Sequence, residues 1–271
     1  MIKDSALFLF HCSFFIFTSY GVFQFFKIFD KFGFYGKTDP ILVLNFLTLW
    51  GQFFLILFFG ISTIVDLLNL VKFKKNNYFY FIALKIRDVL FRSIIFPICF
   101  VISSLFWGIY AYDRQLIFSI ELDSIFPSYL NHLQHTLPGL LIIVETLIEN
   151  HQYHASPVTL QKLKEGPSKH PIETITPITS DVKQDVSNLV LFILTYISII
   201  AYTRYTIGHW PYPFLNVIPT HSKIIFIFTS SCFGVMLYAI GRLINQKRWG
   251  GESIFVPKNF VKKQSINKKT N

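Results

Sequence analysis

Thr48 and His135 each sit inside an apolar stretch long enough to cross a bilayer. Polar and ionisable groups at that depth are costly, usually face a protein interior, and mark functional sites. A hydroxyl and an imidazole at one level make a nucleophile and its general base. The threonine oxygen is weak at its free pKa, and imidazole is the base suited to neutral pH. The chemistry that suits the pair is acyl transfer. Its tetrahedral oxyanion needs donors, for which Asn45, Gln52, Asn131 and backbone amides near Pro138 are candidates, while Asp113 is a candidate to orient the imidazole. Plainer readings stand beside these. A threonine in a membrane helix commonly bonds back to the carbonyl of the preceding turn, and an intramembrane histidine serves as polar glue between helices.

The elements that must position this pair are helices. The chain of 271 residues is 52% hydrophobic with 32 Phe and only 15% charged, too apolar for a soluble domain of ordinary composition. A spanning helix takes about 20 mostly apolar residues. Six stretches qualify, near residues 5–27, 41–70, 89–112, 127–149, 187–207 and 222–244. The expectation is an all-α polytopic membrane bundle of about six helices. The fourth stretch is the least apolar, carrying Asn131, His132, Gln134, His135 and Glu145, which makes it the best suited to line a site. The first reads as a helix and not a signal peptide, because Lys3 and Asp4 cancel as a basic leader and no small-x-small cleavage site follows. Cys12, Cys99 and Cys232 all fall inside predicted spans without paired spacing, so they offer packing and neither a disulfide framework nor a metal signature.

The net charge of +10 is distributed unevenly. Lys72, Lys74, Lys75, Lys162, Lys164 and the basic run from Arg242 onward fall on one side of the six spans. The lighter side holds Lys27, Lys31, Lys37, Arg114, Arg204 and Lys223. The positive-inside rule then puts both termini in the cytosol. The basic balance thus reads as topology plus attraction to anionic headgroups, and not as a nucleic-acid surface, which wants a soluble basic face with interleaved aromatics. Residues 1–250 form one transmembrane domain, interrupted by a Pro-containing polar cytosolic loop at 151–186; residues 251–271 form a basic cytosolic tail. The tail ends Lys268-Lys269-Thr270-Asn271, which resembles a dilysine retrieval signal read by coat proteins and implies the endoplasmic-reticulum membrane.

With cytosolic termini, the second and fourth spans both enter from the lumenal side. Thr48 then lies about 10 Å below a start near Ile41, and His135 about 12 Å below a start near Pro127. Asn45, Thr48 and Gln52 form one polar stripe at helical spacing, and Asn131, His135 and Gly139 another. Pro138 removes a backbone donor and is expected to kink the fourth helix, freeing a carbonyl near the site. Tyr110, Tyr112, Asp113 and Arg114, with His209, Trp210 and Tyr212, read as lumenal interface residues, Asp113 and Arg114 forming an exposed pair. Glu145 is about 15 Å beyond His135 along the helix and belongs to the cytosolic half with His151 and His154.

Five ordered blocks carry a resemblance to a known family. They are Phe46-Leu47-Thr48 with Phe58-Phe59-Gly60; Arg87-Asp88; Phe106-Trp107 through Tyr110-Ala111-Tyr112-Asp113-Arg114; Leu130-Asn131-His132 with His135-Thr136, Glu145 and His151-Gln152-Tyr153; and Gly208 with Trp210 and Tyr212-Pro213-Phe214. In these the chain resembles the androgen-induced-gene and androgen-dependent TFPI-regulating protein family, intramembrane threonine hydrolases that cleave fatty acid esters of hydroxy fatty acids. The resemblance implies Thr48 as nucleophile and His135 as base, with no cofactor. Leu137 and Pro138 depart from the family pattern, and the loop at 151–186 is longer.

The leading expectation is an intramembrane ester hydrolase taking a long acyl ester laterally from the lumenal leaflet. One alternative is a metal-dependent lipid enzyme using His132, His135, His151, His154 and Asp113, which suffers because its histidines divide between opposite membrane faces. The other is a non-enzymatic scaffold or transporter, for which no inverted repeat is visible.

Overall fold

A computed structural model describes residues 2–31, 44–71, 78–153, 176–177, 182–249 and 255–256. The architecture is helical. Five helical segments are long and apolar enough to cross a membrane: Lys3–Lys31, Leu47–Leu70, Ile82–Leu116, Val182–Ile207 and Thr220–Trp249. The first lies within α1 (Ile2–Lys31), the second is α2 (Leu47–Leu70), and the third joins α3 (Tyr78–Leu90) to α4 (Phe96–Asp113). The fourth and fifth are α7 (Val182–Ile207) and α9 (Thr220–Trp249), separated by the short α8 (Pro213–Val217). Leu9, Ile16, Phe23, Leu57, Leu194 and Phe228 are exposed on these helices. A chain that turns such side chains outward along its length needs an apolar solvent.

The sixth expected span differs. Residues 127–149 are divided into α5 (Ser128–His135) and α6 (Leu137–Ile148), with Thr136 between them. Pro138 is the cause: it has no N–H for the Gln134 carbonyl, and its ring crowds that carbonyl. Gln52 Nε2 of α2 donates to the Leu133 carbonyl, one residue before the one Pro138 leaves open, at 3.2 Å, so an adjacent helix satisfies an acceptor beside the break.

A second proline shapes the third span. Pro97 cannot donate to the Ser93 carbonyl, and Phe91–Ile95 widens into a π-helical turn in which the Phe96 N–H reaches Phe91 O. This turn buries Phe91, Arg92, Ser93 and Ile95 together. Around it lies the main core, including Phe58, Phe59, Phe96, Cys99, Ile102, Leu141 and Tyr238. α2 packs along α1, and α4 lies against α9 and α6. Gly208 ends α7 at φ 87°, its N–H returning to Arg204 O at 3.1 Å; the left-handed cap suits a residue without Cβ.

The loop expected at 151–186 ends earlier, because α7 begins at Val182. Thr176–Pro177 of that loop pairs antiparallel with Phe255–Val256 of the basic tail. The Lys268-Lys269 signal and His154 lie outside the described residues.

Candidate active site

Thr48 occupies the second position of α2. The expected start near Ile41 is not the helix start: Phe46 is extended at φ −93° and ψ 108°, and the helix begins at Leu47. That boundary decides what the hydroxyl does. Thr18, Thr63, Thr146, Thr195 and Thr229 each donate to the carbonyl four residues back. The extended Phe46 separates Thr48 from any preceding α-helical turn, and Thr48 Oγ1 lies 3.2 Å from His135 Nε2 instead.

The first turn of α2 is held by a tyrosine of α7 and one just before α8. The Leu47 N–H donates to Tyr212 Oη at 3.0 Å, and Tyr212 Oη lies 2.7 Å from Tyr196 Oη. Tyr196 donates its hydroxyl proton to Asn45 O at 2.8 Å, so Tyr212 is the donor between the two rings. Asn45 Oδ1 accepts from Thr203 at 2.6 Å, and Trp50 Nε1 donates to Leu44 O at 2.7 Å. Residues 44–47 are therefore tied down at both main chain and side chain.

His135 ends α5, the roughly two turns between Pro127 and the break. Its Nδ1 faces two acceptors on Asn131, the backbone O at 3.0 Å and Oδ1 at 2.7 Å. Nδ1 therefore carries the proton and Nε2 is left as the acceptor. Phe106 stacks flat on the imidazole, 3.5 Å between centroids at 8°, which fixes the ring plane. The Thr48 hydroxyl thus donates to a lone pair whose direction is set by one helix turn and one aromatic face. This is the arrangement a hydroxyl nucleophile requires of its base.

The pair opens into a cavity of about 430 Å³. Its walls are mostly aliphatic and aromatic, with Gln134, Tyr196 and Tyr212 among the few polar side chains that line it beside Thr48 and His135. The size suits a small lipid segment, and the lining suits a hydrocarbon chain with one polar group held at a fixed place.

The other candidate residues separate by what they touch. Asn131 is at His135 and orients it. Asn45 braces the turn before α2, and Gln52 caps the Leu133 carbonyl; neither lines the cavity. The helical stripe expected to join Asn45, Thr48 and Gln52 does not form, because Asn45 precedes the helix. Asp113 is exposed and accepts from the Gln115 N–H at 2.9 Å, away from the imidazole. Arg114 pairs with Asp123 at 2.7 Å and not with Asp113, and this hydrogen bond holds the Asp123 carboxyl below the usual range. Tyr212, expected at the interface, is turned inward instead. His132 stacks on Trp107 and reaches Thr136 Oγ1 at 3.0 Å.

A second polar cluster lies in the other half of the bundle. His11 spans Asp66 at 2.5 Å and Glu145 at 3.0 Å; His151 spans Glu145 at 3.1 Å and Asp88 at 3.2 Å. Arg87 joins Asp88 at 2.8 Å to Glu149 at 3.3 Å. Nearby, Arg92 in the π-helical turn donates to Asp185 at 2.9 Å and to His151 O at 2.9 Å. Glu145 therefore does sit with His151. The partner missed was His11, whose signal was an ionisable ring in the first span. Among the described residues no group of three or more His, Cys, Asp or Glu is arranged to hold a metal ion.

Comparison with known proteins agrees with the family resemblance noted above. The profile of the FAR-17a/AIG1-like protein family matches residues 6–164 and 175–246. The chain is 30% identical over 206 residues to the androgen-dependent TFPI-regulating protein of Mesocricetus auratus, covering 76% of this chain and 77% of that one. It is 28% identical over 209 residues to the human androgen-induced gene 1 protein, with the same coverage. No solved structure matches. With the family profile covering nearly the whole helical bundle, the chain belongs to the FAR-17a/AIG1-like family.

Proposed function

We propose that this protein is an intramembrane ester hydrolase that uses Thr48 as nucleophile and His135 as general base. The observation that carries the reading is the 3.2 Å contact between Thr48 Oγ1 and an imidazole nitrogen whose partner nitrogen is committed to Asn131. Thr48 Oγ1 attacks the ester carbonyl carbon while its proton passes to His135 Nε2. The tetrahedral intermediate then expels the alcohol oxygen, which takes that proton. Water, deprotonated by the same nitrogen, cleaves the acyl-threonine ester and restores the hydroxyl. The Thr48 main-chain N–H, in the first turn of α2, has no intrahelical acceptor and is available to the oxyanion.

The substrate is a long acyl ester entering from the bilayer, of the kind formed by a fatty acid and a hydroxy fatty acid. The apolar cavity and the family resemblance of the Thr48 and His135 blocks support that choice. The charge asymmetry supports cytosolic termini with the site toward the lumenal leaflet. The proposed location is the endoplasmic-reticulum membrane, with the basic stretch around Lys268 and Lys269 offered to coat proteins.

The test is hydrolysis of such an ester by the purified full-length chain and by Thr48→Ala and His135→Ala. Both variants are expected to insert and express normally and to lose turnover. A serine/threonine-reactive fluorophosphonate is expected to label Thr48. Wild-type turnover by either variant, or labelling at another residue, overturns the assignment.

A further inference from the structure

Of the side-chain amides near the reacting pair, three are engaged away from the cavity. Asn131 Oδ1 holds His135, Gln52 Nε2 donates to Leu133 O, and Asn45 Oδ1 accepts from Thr203. None of the three lines the cavity. Gln134 differs in every respect. It lines the cavity with Thr48 and His135, it is only 4% exposed, and its Nε2 has no hydrogen-bond partner among the described residues. An amide N–H₂ buried without a partner is costly, and proteins tolerate it where a ligand completes the bond.

We propose that Gln134 Nε2 donates to the carbonyl oxygen of the bound ester and to the oxyanion that develops on it; this rests on the hydrolase reading given above. Gln134 and His135 are consecutive residues of α5, so one helix turn carries both the donor and the base. The cavity offers few other polar side chains, and the hydroxyl protons of Tyr196 and Tyr212 are already spent, on Asn45 O and on Tyr196 Oη respectively. As the carbonyl carbon becomes tetrahedral, charge moves onto the oxygen and the contact with the amide strengthens. The residue therefore acts on the rate more than on ground-state binding.

The experiment compares wild type with Gln134→Met and Gln134→Glu on an ester of a hydroxy fatty acid, and on the matching thionoester, whose sulfur is a poor hydrogen-bond acceptor. Both variants are expected to lose about 100-fold in kcat with KM changed by less than about 3-fold. The preference of wild type for the oxygen ester over the thionoester is expected to shrink in Gln134→Met. The thermal midpoint of Gln134→Met is expected to equal or exceed that of wild type, because an unpaired buried donor has been removed; a purely structural glutamine would lower it. A kcat within about 3-fold of wild type in both variants, with the thionoester preference intact, overturns the proposal while Thr48→Ala and His135→Ala remain inactive. If those two remain active, the hydrolase reading falls and this inference with it.

Discussion

Replacing Asn131 with Leu separates two roles that an amide beside a catalytic imidazole can have. In the structure the side chain contributes one hydrogen bond to His135 Nδ1, at 2.7 Å, while the Asn131 carbonyl makes a second at 3.0 Å. The variant keeps the backbone acceptor, so the proton stays on Nδ1 and Nε2 still faces Thr48. Phe106 continues to hold the ring plane. What is lost is a single orienting bond, with a net value of about 0.5–1.5 kcal/mol. If that loss is felt fully in the transition state, kcat falls by about 2- to 12-fold. An oxyanion donor is a different matter: its removal costs roughly 100- to 1,000-fold. Steady-state hydrolysis of an ester of a hydroxy fatty acid by the variant, with KM measured alongside, distinguishes the two. A fall of 100-fold or more would refute the orienting role and put Asn131 against the substrate. No fall at all would show that the backbone carbonyl and Phe106 suffice.

Other perturbations probe the scaffold. Glu145→Gln leaves one imidazole of the buried cluster facing an amide N–H₂, and breaking such a pair costs about 3–5 kcal/mol. A drop of at least 5 °C in thermal midpoint is expected, read in detergent near neutral pH. Tyr212→Phe removes the acceptor of the Leu47 N–H and the donor to Tyr196, for a stability loss of about 1–3 kcal/mol. Turnover is expected to fall with it, because the same turn aims Thr48. At Gly241, a Cβ would sit 2.8 Å from Phe96 ring atoms and 2.9 Å from Tyr153 Oη, where α9 meets α4. Gly241→Ala is expected to lower stability by about 1–3 kcal/mol through overpacking, with Ser at Gly108, where a Cβ meets nothing within 4 Å, as a neutral control.

The pairing of Thr48 with His135 was legible because each is conspicuous in an apolar run and the two share a depth. The break after His135 was legible because Pro138 must sacrifice a helical hydrogen bond. The start of α2 was not. Ile41 through Phe46 reads as more of the same apolar helix, and what ends that pattern is a pair of tyrosine hydroxyls more than 150 residues away in sequence, fastening Asn45 and Leu47. The misplaced start put Asn45 on a helix stripe with Thr48 and Gln52, although all three carry different tasks. Gln134 was marked only as one of the polar residues of a site-lining span, because residue type alone does not distinguish a satisfied amide from an orphan one. The π-helical turn at Phe91–Ile95 has Pro97 as its local signal, but the reason it buries Arg92 is Asp185, a tertiary partner. His11 and Asp66 were available to the same rule that found His135, since both are ionisable groups within predicted spans.

The cluster that joins His11 to His151 has a consequence for proton inventory. Each imidazole presents both ring nitrogens to carboxylate oxygens, and every such contact requires one hydrogen between nitrogen and oxygen. Two neutral rings bring only half the hydrogens these four contacts need, so two more must be retained, on ring or on carboxyl. Asp66, Asp88 and Glu145 share these hydrogens in a cluster that Arg87 also enters, through Asp88, and ties to the partly buried Glu149. The helices therefore come together around a chain of shared hydrogens that is closed off from the surrounding hydrocarbon.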